Sequence, residues 1–251
     1  MITCKLTGDI GKPIKAHIIP KAFYELSEQN EGANKLISNS PGTFPKKIPV
    51  GIYDSTIVTQ KGEDYFEKWD NYATKLLLGD NITFEKIQEN GVLGGWDLGV
   101  YDYKLLKLFS LSILWRAHVS SQVIFKKVKL GPHEPIIREL LLTGNAFDSN
   151  SYSVILSKWI DGGFGPVIMD PFREKYDGLN FYRFYCGRYI FSIKVDSRPT
   201  VGAFRYAQLA LNKNLIIIAR DLKASKDFSV MQKIAKQNLS NKPFPMNANK
   251  I

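Results

Sequence analysis

Residues 181–208 read FYRFYCGRYIFSIKVDSRPTVGAFRYAQ, a stretch in which Arg183, Arg188, Lys194, Arg198 and Arg205 are interleaved with aromatic side chains. Cations that hold phosphates beside rings that stack on bases suit single-stranded or distorted nucleic acid. Arg220 and Lys223, just after the apolar run LIIIA, extend the set of candidate phosphate contacts. The charge has the same address. Residues 1–182 carry 21 basic and 21 acidic groups, whereas residues 183–251 carry 13 basic groups against Asp196, Asp221 and Asp227, the whole of the +10 excess. Such a region attracts phosphate backbones or anionic lipid heads, and each neutralised phosphate contributes through counterion release. If residues 181–195 form strands, alternation puts Arg183 and the neighbouring cations on one exposed sheet face.

The elements that must position these groups change texture along the chain. Residues 1–20 read as two short strands around TGDIGKP, residues 21–30 as a short helix, and the proline-rich 38–51 as a loop. IYDSTIV is strand-like, and residues 62–79 read as a helix with an acidic first turn that ends at Gly79. QENGVLGGWDLGVYD is turn-rich. Residues 103–121 are apolar over most of a helical circumference, predicting a buried central helix with Lys104, Lys107 and Arg116 on a narrow outer face. LGPHEPIIRELLLTG has Pro132 near a helix start and Gly144 beyond its end. From residue 152 strands dominate, with a hairpin or bulge at Gly187, before a last helix over about 224–238 and a frayed tail.

A chain of 251 residues can bury a core without staples. Two cysteines, Cys4 and Cys186, give no disulfide framework and fit a reducing setting. Neither a secretory leader nor a membrane-spanning run is expected, so the predicted location is the cytoplasm. DGGFGP, residues 161–166, lacks the Lys-Ser/Thr of a phosphate loop and reads as a turn. Asp221-Leu222-Lys223, with Asp196 or Asp170 as a partner carboxylate, imitates the end of a metal-dependent nuclease core, but the tripeptide is common by chance.

CKLT, residues 4–7, AHIIPKAFY, residues 16–24, and GIYDSTIVTQKGEDY, residues 51–65, together resemble a largely uncharacterised family of bacterial and phage proteins. Its members begin with a zinc-binding, HNH-like finger of the treble-clef type: a Cys-x-x-Cys knuckle, a Ser-His-Ile-Ile-Pro segment and a Gly-x-Tyr-Asp strand leading to a second knuckle. The resemblance reaches to about residue 142 and implies a phage-related or host-defence setting. Three of the four thiolates are replaced by Thr7, Thr59 and Gly62, none of which substitutes for sulfur in a closed tetrahedral site. No structural metal is therefore expected, and Cys4 is expected to act as a small buried hydrophobe.

The resemblance also places His17 where an HNH nuclease has its general base. Such a site needs a hard divalent cation as well, Mg2+ or Mn2+, for which Asp54, Glu63 and Asp64 are the available ligands. Ala16 stands where working members put a metal ligand. The plainer role for His17 is to bracket a turn; His118 at a helix end and His133 in a capping segment read as structural.

The expected fold class is α+β: a degenerate, metal-free treble-clef or HNH-like part over residues 1–80, a helical part over 81–150 and a basic β-rich part over 151–251, with no linker of obvious composition to separate them from one continuous domain. The leading functional expectation is nucleic-acid binding without a cofactor. A metal-dependent HNH-like endonuclease using His17 is the first alternative. An adaptor or homo-oligomeric component whose basic face meets an acidic protein is the second.

Overall fold

The computed structural model describes residues 1–24, 35–38, 46–48, 51–80, 82–160 and 167–240. Most of the expected loop at 38–51, the second half of the expected helix at 21–30, the glycine turn at 161–166 and the tail from 241 lie outside these residues.

Three two-residue strands, β1 (Ile2–Thr3), β2 (Ile10–Gly11) and β3 (Ala16–His17), are followed by a single helical turn at Lys21–Tyr24. Next come β4 (Lys35–Ile37), β5 (Lys46–Lys47), β6 (Tyr53–Asp54) and helix α1 (Gln60–Leu78). A hairpin, β7 (Glu85–Glu89) and β8 (Val92–Asp97), leads to α2 (Tyr103–Val119) and α3 (Glu134–Thr143). The remaining elements are β9 (Val154–Trp159), β10 (Val167–Met169), β11 (Phe172–Tyr176), β12 (Leu179–Cys186), β13 (Tyr189–Lys194), α4 (Phe204–Ala207), β14 (Ile216–Arg220) and α5 (Lys226–Ser240).

Local signals account for several boundaries. Asp102 caps α2 by accepting from the Leu105 amide at 2.9 Å, and Gly144 ends α3 in the left-handed conformation at φ 63°. On α1 the buried residues Gly62, Phe66, Trp69, Ala73 and Leu77 form one stripe at helical spacing. The turn-rich reading of 88–102 needs correction: Asn90 and Gly91, at φ 51° and 78°, make a two-residue hairpin turn between β7 and β8. All of β7 is exposed, so its residues show no alternation from which a strand would be read.

The main sheet runs β11-β12-β13-β9-β14-β8-β7 and is antiparallel except where β14 lies parallel to β9. Because β14 sits between β9 and β8, strands from the middle and the last part of the chain share one sheet. One face, including Leu156, Phe184, Phe191 and Ile217, packs into the core formed with α1 and α2; Phe109 of α2 meets Phe191 edge-to-face at 5.5 Å. On the opposite face, Trp159, Tyr185 and Ile190 pack beneath Phe228 and Met231 of α5, while Ile155 and Phe181 lie beneath Phe204 of α4. The architecture is mixed α+β. Among the described residues no helix is long and apolar enough to cross a membrane.

Helix α2 has almost no outer face. Lys104 is exposed, but Lys107 and Arg116 are fully buried, contrary to the expectation from the helical pattern. Neighbouring segments enclose them: Lys107 donates to the Ser151 carbonyl at 2.8 Å and Arg116 meets Asp70 of α1. Burial pushes the Lys107 ammonium down to about 7.

Candidate functional site

Cys4, Thr7, Thr59 and Gly62, the positions at which the resemblance expects metal ligands, lie close together. The Thr7 amide lies 3.5 Å from Cys4 Sγ, and a Cβ added to Gly62 would stand 2.6 Å from the same sulfur. The Thr59 hydroxyl donates to one oxygen of Asp9 at 3.1 Å and the Thr7 hydroxyl donates to the other. A carboxylate thus bridges the two segments through threonine hydroxyls, and Cys4 is buried beside them. Burial alone would raise the Cys4 thiol; hydrogen bonds from Thr7, Thr59 and Leu6 outweigh it and lower its pKa. Among the described residues no group of three His, Cys, Asp or Glu side chains is arranged to hold a metal ion.

Strand β3 sets His17 opposite Tyr53 of β6, with the rings edge-to-face at 6.1 Å. The His17 carbonyl accepts from Arg116 Nη1 at 2.8 Å. Arg116 also makes a bidentate pair with Asp70 at 2.9 and 2.8 Å, and its guanidinium lies 4.7 Å from the centre of the Phe66 ring. Burial raises the Asp70 carboxyl against the opposing pull of Arg116 and His17. Two turns earlier on α1, burial pushes Glu63 up to about 7; Arg116 opposes the shift, and Asp70, Asp64 and Glu67 add to it. Glu63 Oε2 is buried with no hydrogen-bond partner.

His17 and Glu63 therefore share one electrostatic cluster with Asp70 and Arg116, two residues that sequence reasoning did not select. The faint signal was spacing, because Glu63 and Asp70 lie on nearby faces of α1. Asp54 does not join them. It accepts from the Thr56 amide and hydroxyl, the Ser120 hydroxyl, and the Ser121 amide and hydroxyl at 2.6–2.8 Å, which ties β6 to the end of α2. These donors, overriding burial, hold its carboxyl well below the usual range. Its oxygens are engaged, so Asp54 is corrected from cation ligand to structural bracket. Asp64 is exposed and accepts from Gln60 at 2.8 Å. His118 and His133 contact the Val128 carbonyl and the Tyr152 hydroxyl, each at 3.2 Å.

The expected common basic face also needs correction. Arg183 is 2% exposed. It donates to both oxygens of Asp227 on α5 at 2.5 and 2.6 Å, to Glu174 at 2.8 Å and to the Tyr176 hydroxyl at 2.6 Å. Helix α5 covers the face that alternation alone leaves open. Lys194 is fully buried and donates to the carbonyls of Asn150 and Arg198. Neither residue can reach a phosphate in this state. Arg198 is exposed but pairs with Asp196 at 2.7 Å, and that pairing holds the Asp196 carboxyl well below its usual range.

Arg220 is mostly buried, 3.6 Å from Asp227 and 5.6 Å from the centre of the Trp159 ring. Arg188, Arg205 and Lys223 are exposed, with no carboxylate partner among the described residues. The candidates divide between the two ends of the sheet. Arg198 reaches the Gly178 carbonyl at the β11–β12 turn, whereas Arg188 occupies the β12–β13 turn beside the ends of β9 and β14. Lys223 and the exposed Lys226, Lys233 and Lys236 continue from this second end along α5, away from its buried Asp227 and Ile234. No family model, curated protein or solved structure matches the chain.

Proposed function

We propose that the protein binds nucleic acid through the sheet end that carries Arg188 and Lys223 and through the outward lysines of α5. One observation carries this reading. Asp196 and Asp227 are engaged internally, while Arg188, Lys223, Lys226, Lys233 and Lys236 face water with Asp221 as the exposed carboxylate of the final stretch. Such a surface gains counterion-release free energy at a phosphate backbone, with a log–log salt slope of roughly −0.9 per contact on duplex and −0.7 on single strands. Gel shifts on duplex DNA, single-stranded DNA and RNA across a salt series test it. Salt-steep binding weakened by Lys233→Gln with Lys236→Gln supports the reading. Absence of binding to all three, with capture of an acidic protein instead, supports an adaptor.

The convergence around Cys4 supports a treble-clef-like, HNH-like start whose ligand positions have become a hydrogen-bonded plug. Combining Thr7→Cys, Thr59→Cys and Gly62→Cys should create a thiolate site that binds Co2+ with sulfur-to-metal charge-transfer absorption; no such band would count against the ancestry. A second reading, a Mg2+- or Mn2+-dependent endonuclease, is favoured by the shared cluster of His17 and Glu63. Its test is cleavage of the same nucleic acids with added Mn2+, lost in His17→Ala.

A further inference from the structure

The sheet face beneath α5 carries an anion site whose occupant belongs to the chain itself. Alternation along β12 turns Arg183 and Tyr185 to this face, and the strand register continues it through Ile190 of β13 to Trp159 of β9 and its parallel partner, Arg220 of β14. Asp227, in the first turn of α5, reaches into it and is buried. Its carboxylate accepts from Arg183 Nη1 at 2.5 and 2.6 Å and from the Tyr185 hydroxyl at 2.5 Å, with Arg220 Nη2 at 3.6 Å. Burial and the Asp227 charge both keep the Tyr185 hydroxyl protonated, so it remains a donor. Arg183 holds Glu174 with its Nε and Nη2 and turns Nη1 to α5.

These are donors that a phosphodiester can use. Such a group carries one negative charge on two non-bridging oxygens, as a carboxylate does, and suits guanidinium forks and a hydroxyl. The rings of Tyr185 and Trp159 lie in the same cluster, with Arg220 5.6 Å from the centre of the Trp159 ring, and rings beside cations are what single strands stack and pair on. The apolar footing of α5 is modest: Ile234 is buried, but Phe228 and Met231, which pack against Trp159, Tyr185 and Ile190, are only partly so. Exchange of the Asp227 carboxylate for a phosphate leaves no buried charge unpaired, so the helix can leave without the penalty that a bare vacancy would impose.

We propose that Arg183, Arg220 and Tyr185 form a phosphate cradle that Asp227 closes, and that a nucleic-acid strand displaces α5 to occupy it, which makes α5 an autoinhibitory cover. With α5 in place Arg183 belongs to the framework. The strand as occupant rests on the nucleic-acid binding proposed above; the cradle does not.

Inorganic phosphate probes the cradle. In the full chain carrying Asp227→Ala, or Asp227→Ser should the alanine variant not fold, phosphate at constant ionic strength should raise the unfolding temperature saturably, by about 2–4 °C beyond any rise in wild type. Arg220→Gln in the same chain should abolish that excess. No excess, or one that survives Arg220→Gln, overturns the cradle. A fluorescein-labelled single strand of about a dozen nucleotides probes the cover. Asp227→Asn should bind it about tenfold more tightly than wild type, against no more than about twofold for Asp221→Asn, which adds the same charge at an exposed carboxylate and keeps an acceptor for the Ala224 amide. In wild type the strand should speed hydrogen exchange of the α5 amides over residues 228–234. Equal gains from the two asparagine variants, or slower exchange in α5, overturn the displacement. Phosphate rescue without strand binding by any form upholds the cradle and removes the nucleic-acid reading instead.

Discussion

Arg183 and Arg188 occupy one hairpin and have opposite surroundings. Arg183 lies in β12 beneath α5, where Asp227, Glu174 and Tyr176 accept its donors. Arg188 sits at the turn, exposed, with no carboxylate partner among the described residues. Both are arginines among aromatic residues, so their immediate sequence does not separate them. The difference arises from what distant segments bring to each place. A buried arginine saturated by carboxylates is part of the framework. An exposed one without a carboxylate partner keeps its donors for water or an external anion.

The comparison breaks most visibly if Arg183 is removed. Arg183→Ala strips Glu174 of its counter-charge and leaves Asp227 with Arg220 alone, at 3.6 Å, under α5; breaking a buried pair in this way costs about 3–5 kcal/mol. Arg188→Ala, at an exposed turn, should change stability by no more than about 0.5 kcal/mol. Urea unfolding of both variants decides the matter, and equal losses would erase the distinction.

The front of the molecule extends the contrast from charge to space. Gly62 leaves room for the Cys4 sulfur, where an added Cβ would come within 2.6 Å. Gly62→Ala should therefore cost about 1–3 kcal/mol by overpacking. Cys4→Ala in the same chain should recover part of that loss in denaturant unfolding, whereas strictly additive losses would show that the sulfur is not the obstacle.

Helix α1 offers a finer version of the same contrast, because Asp70 has Arg116 as a bidentate partner and Glu63 Oε2 has none. Glu63 has its pKa raised to about 7 in the fold, above its ordinary value of 4.5. Between those values the native state holds a proton that the unfolded chain releases, so the contribution of Glu63 is complete at low pH and falls as pH rises. Glu63→Gln should match wild type near pH 4 and exceed it by about 1–2 kcal/mol at pH 8, less than the full shift implies because part of the side chain reaches water. Unfolding curves at the two pH values test this; an equal difference at both would remove the titration.

Much of the framework was legible because it rests on local signals. The end of α1 at Gly79, the Gly144 stop and the hairpin at Gly187 are matters of a few neighbouring residues. What escaped depends on remote partners or on missing contrast. Strand β7 has no buried side to create a pattern. Lys107 and Arg116 fall on an outer face only if α2 has one, and the chain encloses it. Arg183 was misplaced because its cover, α5, comes from beyond the strand itself. Arg188 and Lys223 stay exposed as the alternation and turn chemistry suggest. Lys158 gave no signal, since its aromatic platform of Phe84, Trp96 and Tyr189 is assembled from two strands, β8 and β13, and the segment before β7.

The parallel insertion of β14 between β9 and β8 also sets an order of events during synthesis. Ribosomes deliver residues 216–220 after every other strand of the main sheet. Until they emerge, β8 and β9 each keep an open ladder of amides and carbonyls, and the hairpin beyond β8 has no seam to the remainder. The nascent chain thus carries two unfinished edges through most of its growth, a state that invites mispairing and places the rate of closure under long-range contacts.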